Sequence, residues 1–370
     1  MVYKVPFVNY PLHYHNIQSD IDDAIKEVLN GGDLIMRRQI LQFENEIASF
    51  LGVKYAVGVN SGTDALYLSL LAGDIGHGDE VITVSHTFVA TLAVIVHRGA
   101  KPILVDVADD FNMDMAKVET AISPRTKALM PVHLNGRLCD MEKLMMIANK
   151  HKLLVIEDAA QALGASFDGK KAGTFGIAGC FSFYPAKILG AFGEGGMVVT
   201  NKLKIAEMIR LLRDHGRNKA TGDILCFGFN SRLDNLQAAI LDTKLKHLPA
   251  WIKRRRELAG LYERGLHGLS QIRTPPPPQQ GRYFDVYTNY VVRAQERDKL
   301  VSYLGECGIE ILISWPKPNH RQEALGLEKF KLPETDRVSN EVLSLPLYPE
   351  LTNDQVGFVI EAIRKFYKVR

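Results

Sequence analysis

Four cysteines are spread over 370 residues, and no two of them stand close together. Cys139, Cys180, Cys226 and Cys307 form no CxxC pair, which excludes a zinc ribbon or a disulfide framework. They are expected to be reduced, mostly buried thiols of a cytoplasmic protein, and no metal site is expected. No apolar run approaches the roughly 18 residues needed to cross a bilayer, so no membrane role is expected. The opening stretch MVYKVPFVNYPLHYHN lacks the apolar core of a signal peptide, so export is not expected either.

Excess charge is also scarce. Lys and Arg number 45 against 42 Asp and Glu, a net charge of +3. The one dense basic cluster, Lys253-Arg254-Arg255-Arg256, lies in a helix-like stretch and is expected to face solvent. No nucleic-acid module surrounds it. A hydrophobic content of 46% and no internal repeat describe an ordinary globular chain.

What is present is an alternation. From about Gly52, short β-branched runs (YAVGV, EVITV, PILVDV, ALMPVHL, LLVIED, CFSF, GGMVVT) are separated mostly by helical patterns. This predicts an α/β fold with a mostly parallel, doubly wound sheet, in which ligands bind beyond the carboxyl ends of the strands. The series ends near Leu245. A basic helix, the stiff and exposed loop RTPPPPQQGR, and the segments YTNYVVR, GIEILISW and NDQVGFVIEAIRKFY then suggest a smaller α+β domain. The expected division is 1–245 and 246–370.

One segment breaks the charge pattern. GCFSFYPAKILGAFGEGGMVVT, Gly179–Thr200, holds a single cation, Lys187, and a single anion, Glu194, in a chain that is 24% charged. Lys187 either lays its methylenes on the surrounding aromatics with its ammonium in water, or is desolvated so that its neutral amine becomes a nucleophile. Two further motifs bear on that choice. In VNSGTDAL, Ser61, Gly62 and Thr63 follow a strand and open a helix, which suits an anion such as phosphate as well as an ordinary N-cap. VIEDAAQALGA ends a buried strand with Glu157 and Asp158, only one of which can point to a given face. Asp158, 29 residues before Lys187, stands where a pyridinium nitrogen would need a counter-ion. A lysine for a Schiff base, a carboxylate and an anion cradle are the parts that hold pyridoxal phosphate, and Ser182 could add a hydroxyl to the phosphate.

VGVNSGTDAL, VIEDAAQALGA, FSFYPAKILGAFGEGGMVVT and RVSNEVLSLPLYPELT closely resemble the DegT/StrS-type pyridoxal-phosphate sugar aminotransferases, in the family's motif order. The resemblance implies the aspartate-aminotransferase fold (fold type I), with a seven-stranded-type sheet. It implies that Lys187 carries the cofactor, that Asp158 partners its ring nitrogen and that Gln161 contacts its ring hydroxyl. Phe88, in SHTFVAT, matches the aromatic stacked on the ring. Ser182 and the amides of Gly62 and Thr63 resemble the phosphate site. Asn230, in GFNSRLDNLQAAI, matches an asparagine donated by a second subunit, which implies a homodimer; the competing reading is that it caps its own helix. Tyr14, Asn135, Arg232, His320 and Arg321 are expected near the substrate.

The family's HLYGQ is written HLNGR here, His133–Arg137, and Asn135 and Arg137 alter the chemistry offered at that strand end. The resemblance implies transfer of an amino group, with glutamate as donor, to a nucleotide-linked keto-sugar (deoxythymidine or uridine diphosphate). FYPAKILGAFGEGG leans to carbon 3, with carbon 4 as the alternative. A sugar dehydratase would have lost the lysine, and a non-catalytic regulatory relative need not keep the whole set.

Overall fold

The computed structural model describes residues 3–278 and 281–368. Its centre is a seven-stranded sheet in the order Tyr55–Val59, Gly196–Thr200, Ala178–Ser182, Leu154–Asp158, Thr126–Leu129, Glu80–Val84, Lys101–Val105. Gly196–Thr200 runs antiparallel to both of its neighbours, and the remaining pairings are parallel. Strands such as EVITV and GMVVT are buried at every residue. That is why they read as continuous apolar runs: helices cover both faces of the sheet, so neither face alternates with water. The expected α/β fold with a mostly parallel sheet is what the chain forms.

A second sheet, Ile272–Arg273, Tyr290–Ala294 and Val342–Leu345, is antiparallel and packs with the helices Arg297–Glu306 and Asn353–Phe366. The two bodies share one helix, Asn235–Leu266, 32 residues long. The expected division at 245/246 falls inside it. Leu241, Leu245, Leu248 and Ile252 belong to the core of the large sheet, whereas Leu258, Tyr262 and Leu266 belong to the smaller core. Val5, from the N-terminal segment, is also packed into the smaller core. The segment GIEILISW contributes isolated bridges at Ile309 and Leu312 rather than a strand.

The basic cluster departs from expectation. Lys253 is exposed, but Arg255 is buried, and its guanidinium donates to the carbonyls of Tyr287, Thr288 and Leu347 at 3.2, 3.3 and 2.8 Å. Arg254 reaches Leu351 O, and Arg256 reaches Asp285 O. The three Arg255 bonds all leave from Nη1, and with Arg254 and Arg256 they fasten the helix to the loops at residues 285–288 and 347–351. The four prolines of RTPPPPQQGR are partly covered rather than exposed, with Tyr287 Oη donating to Pro276 O; Gln279 and Gln280 of that loop lie outside the described residues.

Candidate active site

Ser61–Thr63, Phe88, Asp158 and Lys187 all fall at or beyond the carboxyl-side ends of strands of the large sheet. Asp158 is the last residue of Leu154–Asp158 and is buried. Its Oδ2 accepts from Thr91 Oγ1 at 2.8 Å and its Oδ1 from the amide of Ala160 at 3.2 Å. Burial pushes its pKa up, and Thr91, Ala160, Lys187 and His133 pull it back. Glu157 points to the opposite face of the strand. Both its oxygens are filled: Oε1 by the amides of Phe175 and Gly176, Oε2 by the amide of Gly173 and by His133 Nε2 at 3.0 Å. The alternation of the strand therefore separates a structural carboxylate from one that faces Lys187.

Lys187 sits in a turn, not a helix, with its amide donating to Tyr184 O at 2.8 Å. The turn closes through Ala191 N to Phe183 O, and a Cβ at Gly190 would collide with the Pro185 carbonyl. Two side chains of the long helix pin it: Gln237 Oε1 accepts from Phe192 N, and Lys244 Nζ donates to Gly190 O. Burial lowers the pKa of Lys187, and the Asp158 carboxylate acts in the opposite direction. The side chain is only partly covered, so neither reading of the lysine holds alone: its amine is desolvated while the side chain keeps access to water.

The phosphate-type loop lies against this turn. Ser61 caps the helix Gly62–Ala72, accepting from Asp64 N at 3.0 Å. A Cβ at Gly62 would stand 2.7 Å from Ser182 Cβ and 3.2 Å from its hydroxyl. Only a bare Cα lets the helix N-terminus, with its free amides, approach the Ser182 hydroxyl this closely. The desolvated amine, the buried carboxylate and this amide–hydroxyl cradle fit a phosphorylated pyridine aldehyde.

The remaining expected residues divide. Phe88, in the turn after Glu80–Val84, is 59% exposed. Gln161 Oε1 accepts from Asn135 N at 2.8 Å, and Asn135 adopts a left-handed backbone, φ 58°. Arg137 of the altered motif is a strut: it bonds Asp110 and Asp285 and lies 3.7 Å above the Tyr283 ring. Tyr14 donates to Asp22 and meets the edge of Phe192, beside the lysine turn. His320 departs from the expected pocket position. It is fully buried, its Nδ1 is 2.8 Å from Ser85 Oγ and its Nε2 is 3.1 Å from Asp336 Oδ1. Arg321 is tied to the same Asp336 at the surface. Asn230 caps no helix, because Asp234 caps Asn235–Leu266; it is exposed and accepts from Arg232 Nε, and Arg232 also pairs with Asp214. The sequence reading missed Thr91, whose only signal is its place in the first turn of the helix after SHTF.

Comparison with known proteins agrees with this geometry. Residues 15–364 match the DegT/DnrJ/EryC1/StrS aminotransferase family. A pleiotropic regulatory protein of Geobacillus stearothermophilus is 41% identical, with 99% of each chain covered. The UDP-N-acetyl-3-dehydro-alpha-D-glucosamine 3-aminotransferase of Acidithiobacillus ferrooxidans is 41% identical over 98% of this chain and 97% of its own. The dTDP-3-amino-3,4,6-trideoxy-alpha-D-glucose transaminase of Streptomyces venezuelae is 41% identical over 98% and 96%. Among solved structures, S. venezuelae DesV superposes with a TM-score of 0.95 at 40% identity over the whole of both chains. The chain, whose strand ends bring a lysine, a carboxylate and an amide–hydroxyl cradle together, belongs to the DegT/DnrJ/EryC1/StrS family of pyridoxal-phosphate-dependent aminotransferases.

Proposed function

We propose that this protein transfers an amino group from glutamate to the carbon-3 keto group of a sugar linked to deoxythymidine or uridine diphosphate, in the cytoplasm and as a homodimer. The observation that carries the aminotransferase reading is the convergence, beyond the ends of two adjacent strands, of the buried Asp158 carboxylate and the turn that holds Lys187. The preference for carbon 3 is supported by relatives at 41% identity that are named for 3-amino sugars.

When bound, pyridoxal phosphate supplies a carbonyl that condenses with amines and a ring that withdraws electrons from the adjacent carbon. Gly62, Thr63 and Ser182 would hold its phosphate, Phe88 would cover its ring, and Gln161 would lie at its ring hydroxyl. Asp158, when ionised, would hold a proton on the ring nitrogen, because a neighbouring anion favours the charged form. Burial favours the neutral form of Lys187, so Nζ can accept the proton released from the donor's α-carbon and return it to the acceptor. Tyr14, Arg232 and Asn135 are the side chains proposed for the sugar and its nucleotide. Donor and acceptor would use the same site in turn, which requires ping-pong kinetics.

The dimer is supported by the segment before Asn230. Ile224, Leu225, Phe227 and Phe229 are exposed, Phe227 fully, and contiguous exposed apolar surface marks an interface. Asn230 would then reach the partner's cofactor phosphate. A purely regulatory role, suggested by the name of the Geobacillus relative, is opposed by the intact lysine, carboxylate and cradle. The test is borohydride treatment of protein incubated with pyridoxal phosphate, followed by peptide mass spectrometry. Cofactor mass on the Lys187 peptide supports the reading, and labelling spread over surface lysines contradicts it.

A further inference from the structure

We infer that Asn319, Thr87 and Thr91 form a positioning chain that runs from the segment Pro318–Arg321 to Asp158 and fixes the orientation and charge of its carboxylate. The inference rests on the reading of Asp158 as the partner of the cofactor's ring nitrogen.

Counting protons sets the direction of the chain. An ionised carboxylate only accepts, and each threonine hydroxyl has one proton to give. Thr91 spends its proton on Asp158 Oδ2 at 2.8 Å. The Thr87 and Thr91 hydroxyls are 2.9 Å apart, so Thr87 must donate to Thr91. Ala160 N fills Asp158 Oδ1. Thr87, Thr91 and Asp158 are all buried, so water does not compete and successive bonds polarise one another in one direction.

The chain is anchored from a segment far along the sequence. Asn319 has two amide protons, and both are used: Nδ2 donates to Ser85 O at 3.0 Å and to Thr87 O at 2.8 Å. Its neighbour His320 adds its own amide to Ser85 Oγ at 2.9 Å. The turn Ser85–Phe88 is thus held by the segment Pro318–Arg321. Phe88 lies between the two threonines, and Thr91 N donates to Phe88 O at 3.2 Å. The turn that presents the exposed ring therefore also aligns the hydroxyls.

The charged and titratable groups acting on Asp158 are Lys187, His133 and the buried thiol of Cys180. Removing the Thr91 donor leaves these in place and lets burial raise the carboxyl pKa further. The carboxylate then ionises only at higher pH.

The experiment compares Thr91→Val, Thr91→Ser and Asn319→Leu with the wild type. It reads the pyridoxal phosphate dissociation constant of the apoprotein, the pH titration of the bound cofactor's visible absorption, and the unfolding temperature. Thr91→Val is expected to weaken cofactor binding about tenfold, as befits a lost hydrogen bond to a charged group, and to move the acid end of the titration up by about one pH unit. Thr91→Ser should restore both, and Asn319→Leu should move both in the same direction by less. If Thr91→Val does not fold, Thr87→Val reads the same chain one bond further out. Wild-type binding and an unmoved titration in Thr91→Val, with both disrupted in Asp158→Asn, would overturn the chain and leave the role of Asp158 standing. Wild-type binding and titration in Asp158→Asn would overturn that role itself. An Asn319→Leu protein that only unfolds at lower temperature would remove the anchor from the chain.

Discussion

Glu157 and Asp158 are neighbours with opposite duties: the first is closed off by three backbone amides and His133, and the second faces the Lys187 amine with one hydroxyl and one amide behind it. Their hydrogen-bond partners make the two residues respond differently to the same chemical change.

Asp158→Asn should fold. Its new amide can donate to Thr91 if the two threonine hydroxyls reverse direction, which rotation permits. Activity should fall roughly 10- to 1,000-fold, the range set by losing an anion's hold on a nearby proton. Glu157→Gln should instead lose stability by about 1–3 kcal/mol, because backbone N–H groups cannot reverse and one end of the amide meets them donor to donor. Chemical denaturation and turnover of the two variants separate these effects. Equal losses of stability would contradict the assignment.

Lys187→Ala should abolish turnover while leaving a folded protein, since the lysine turn is held through backbone bonds and through Gln237 and Lys244 rather than through the Lys187 side chain. Circular dichroism and a turnover assay check this. Measurable steady turnover in the variant would show that another group moves the proton.

Acid should destabilise the protein through His86. This imidazole is buried beside Phe111 and Trp315, its Nδ1 has no partner among the described residues, and burial lowers its pKa from 6.5 to about 4. The folded form resists a proton that the unfolded chain accepts, so stability is complete above pH 6.5 and is lost as pH falls from 6.5 towards 4. His86→Phe should flatten that decline by about one proton's worth of pH dependence, read from denaturation midpoints across the window. An unchanged slope would place the acid sensitivity elsewhere, His320 being the next candidate because burial lowers its pKa too.

Asn230→Ala should change stability by less than about 0.5 kcal/mol, since Asp234 and not Asn230 caps the helix and Asn230 lies at the surface. Cofactor retention should drop. Co-refolding Asn230→Ala with Lys187→Ala chains should give mixed dimers with one intact site, holding cofactor more tightly than Asn230→Ala dimers. Phe227→Asp should give monomers in sedimentation. A fully active monomer would end the shared-site account.

The sequence showed the site more clearly than its supports. Lys187 was legible because a lone charge in an aromatic, glycine-rich stretch is conspicuous, and Asp158 because a carboxylate ending an apolar run is costly unless used. The choice of Asp158 over Glu157 came from the resemblance, since alternation gives the separation of faces but not which face is which. Arg255 looked like a surface cation because its partners lie far along the chain, at residues 287, 288 and 347. His320 looked like a pocket residue for the same reason: Ser85, which buries it, is 235 positions away. The change of core between Ile252 and Leu258 was hidden because one helix carries residues of both cores and passes from one to the other without ending, Pro249 notwithstanding.

Lys187 would move the protons that accompany passage of nitrogen from an amino acid to carbon 3 of a nucleotide-linked sugar. The most direct measurement supplies the purified, cofactor-loaded protein with heavy-nitrogen glutamate and a panel of 3-keto and 4-keto sugar nucleotides, then follows the label by mass spectrometry and nuclear magnetic resonance. The account predicts heavy nitrogen at carbon 3 of a deoxythymidine- or uridine-diphosphate sugar, with release of 2-oxoglutarate and no transfer by Lys187→Ala. Label exchanged only among amino acids, with every sugar nucleotide unlabelled, would contradict it.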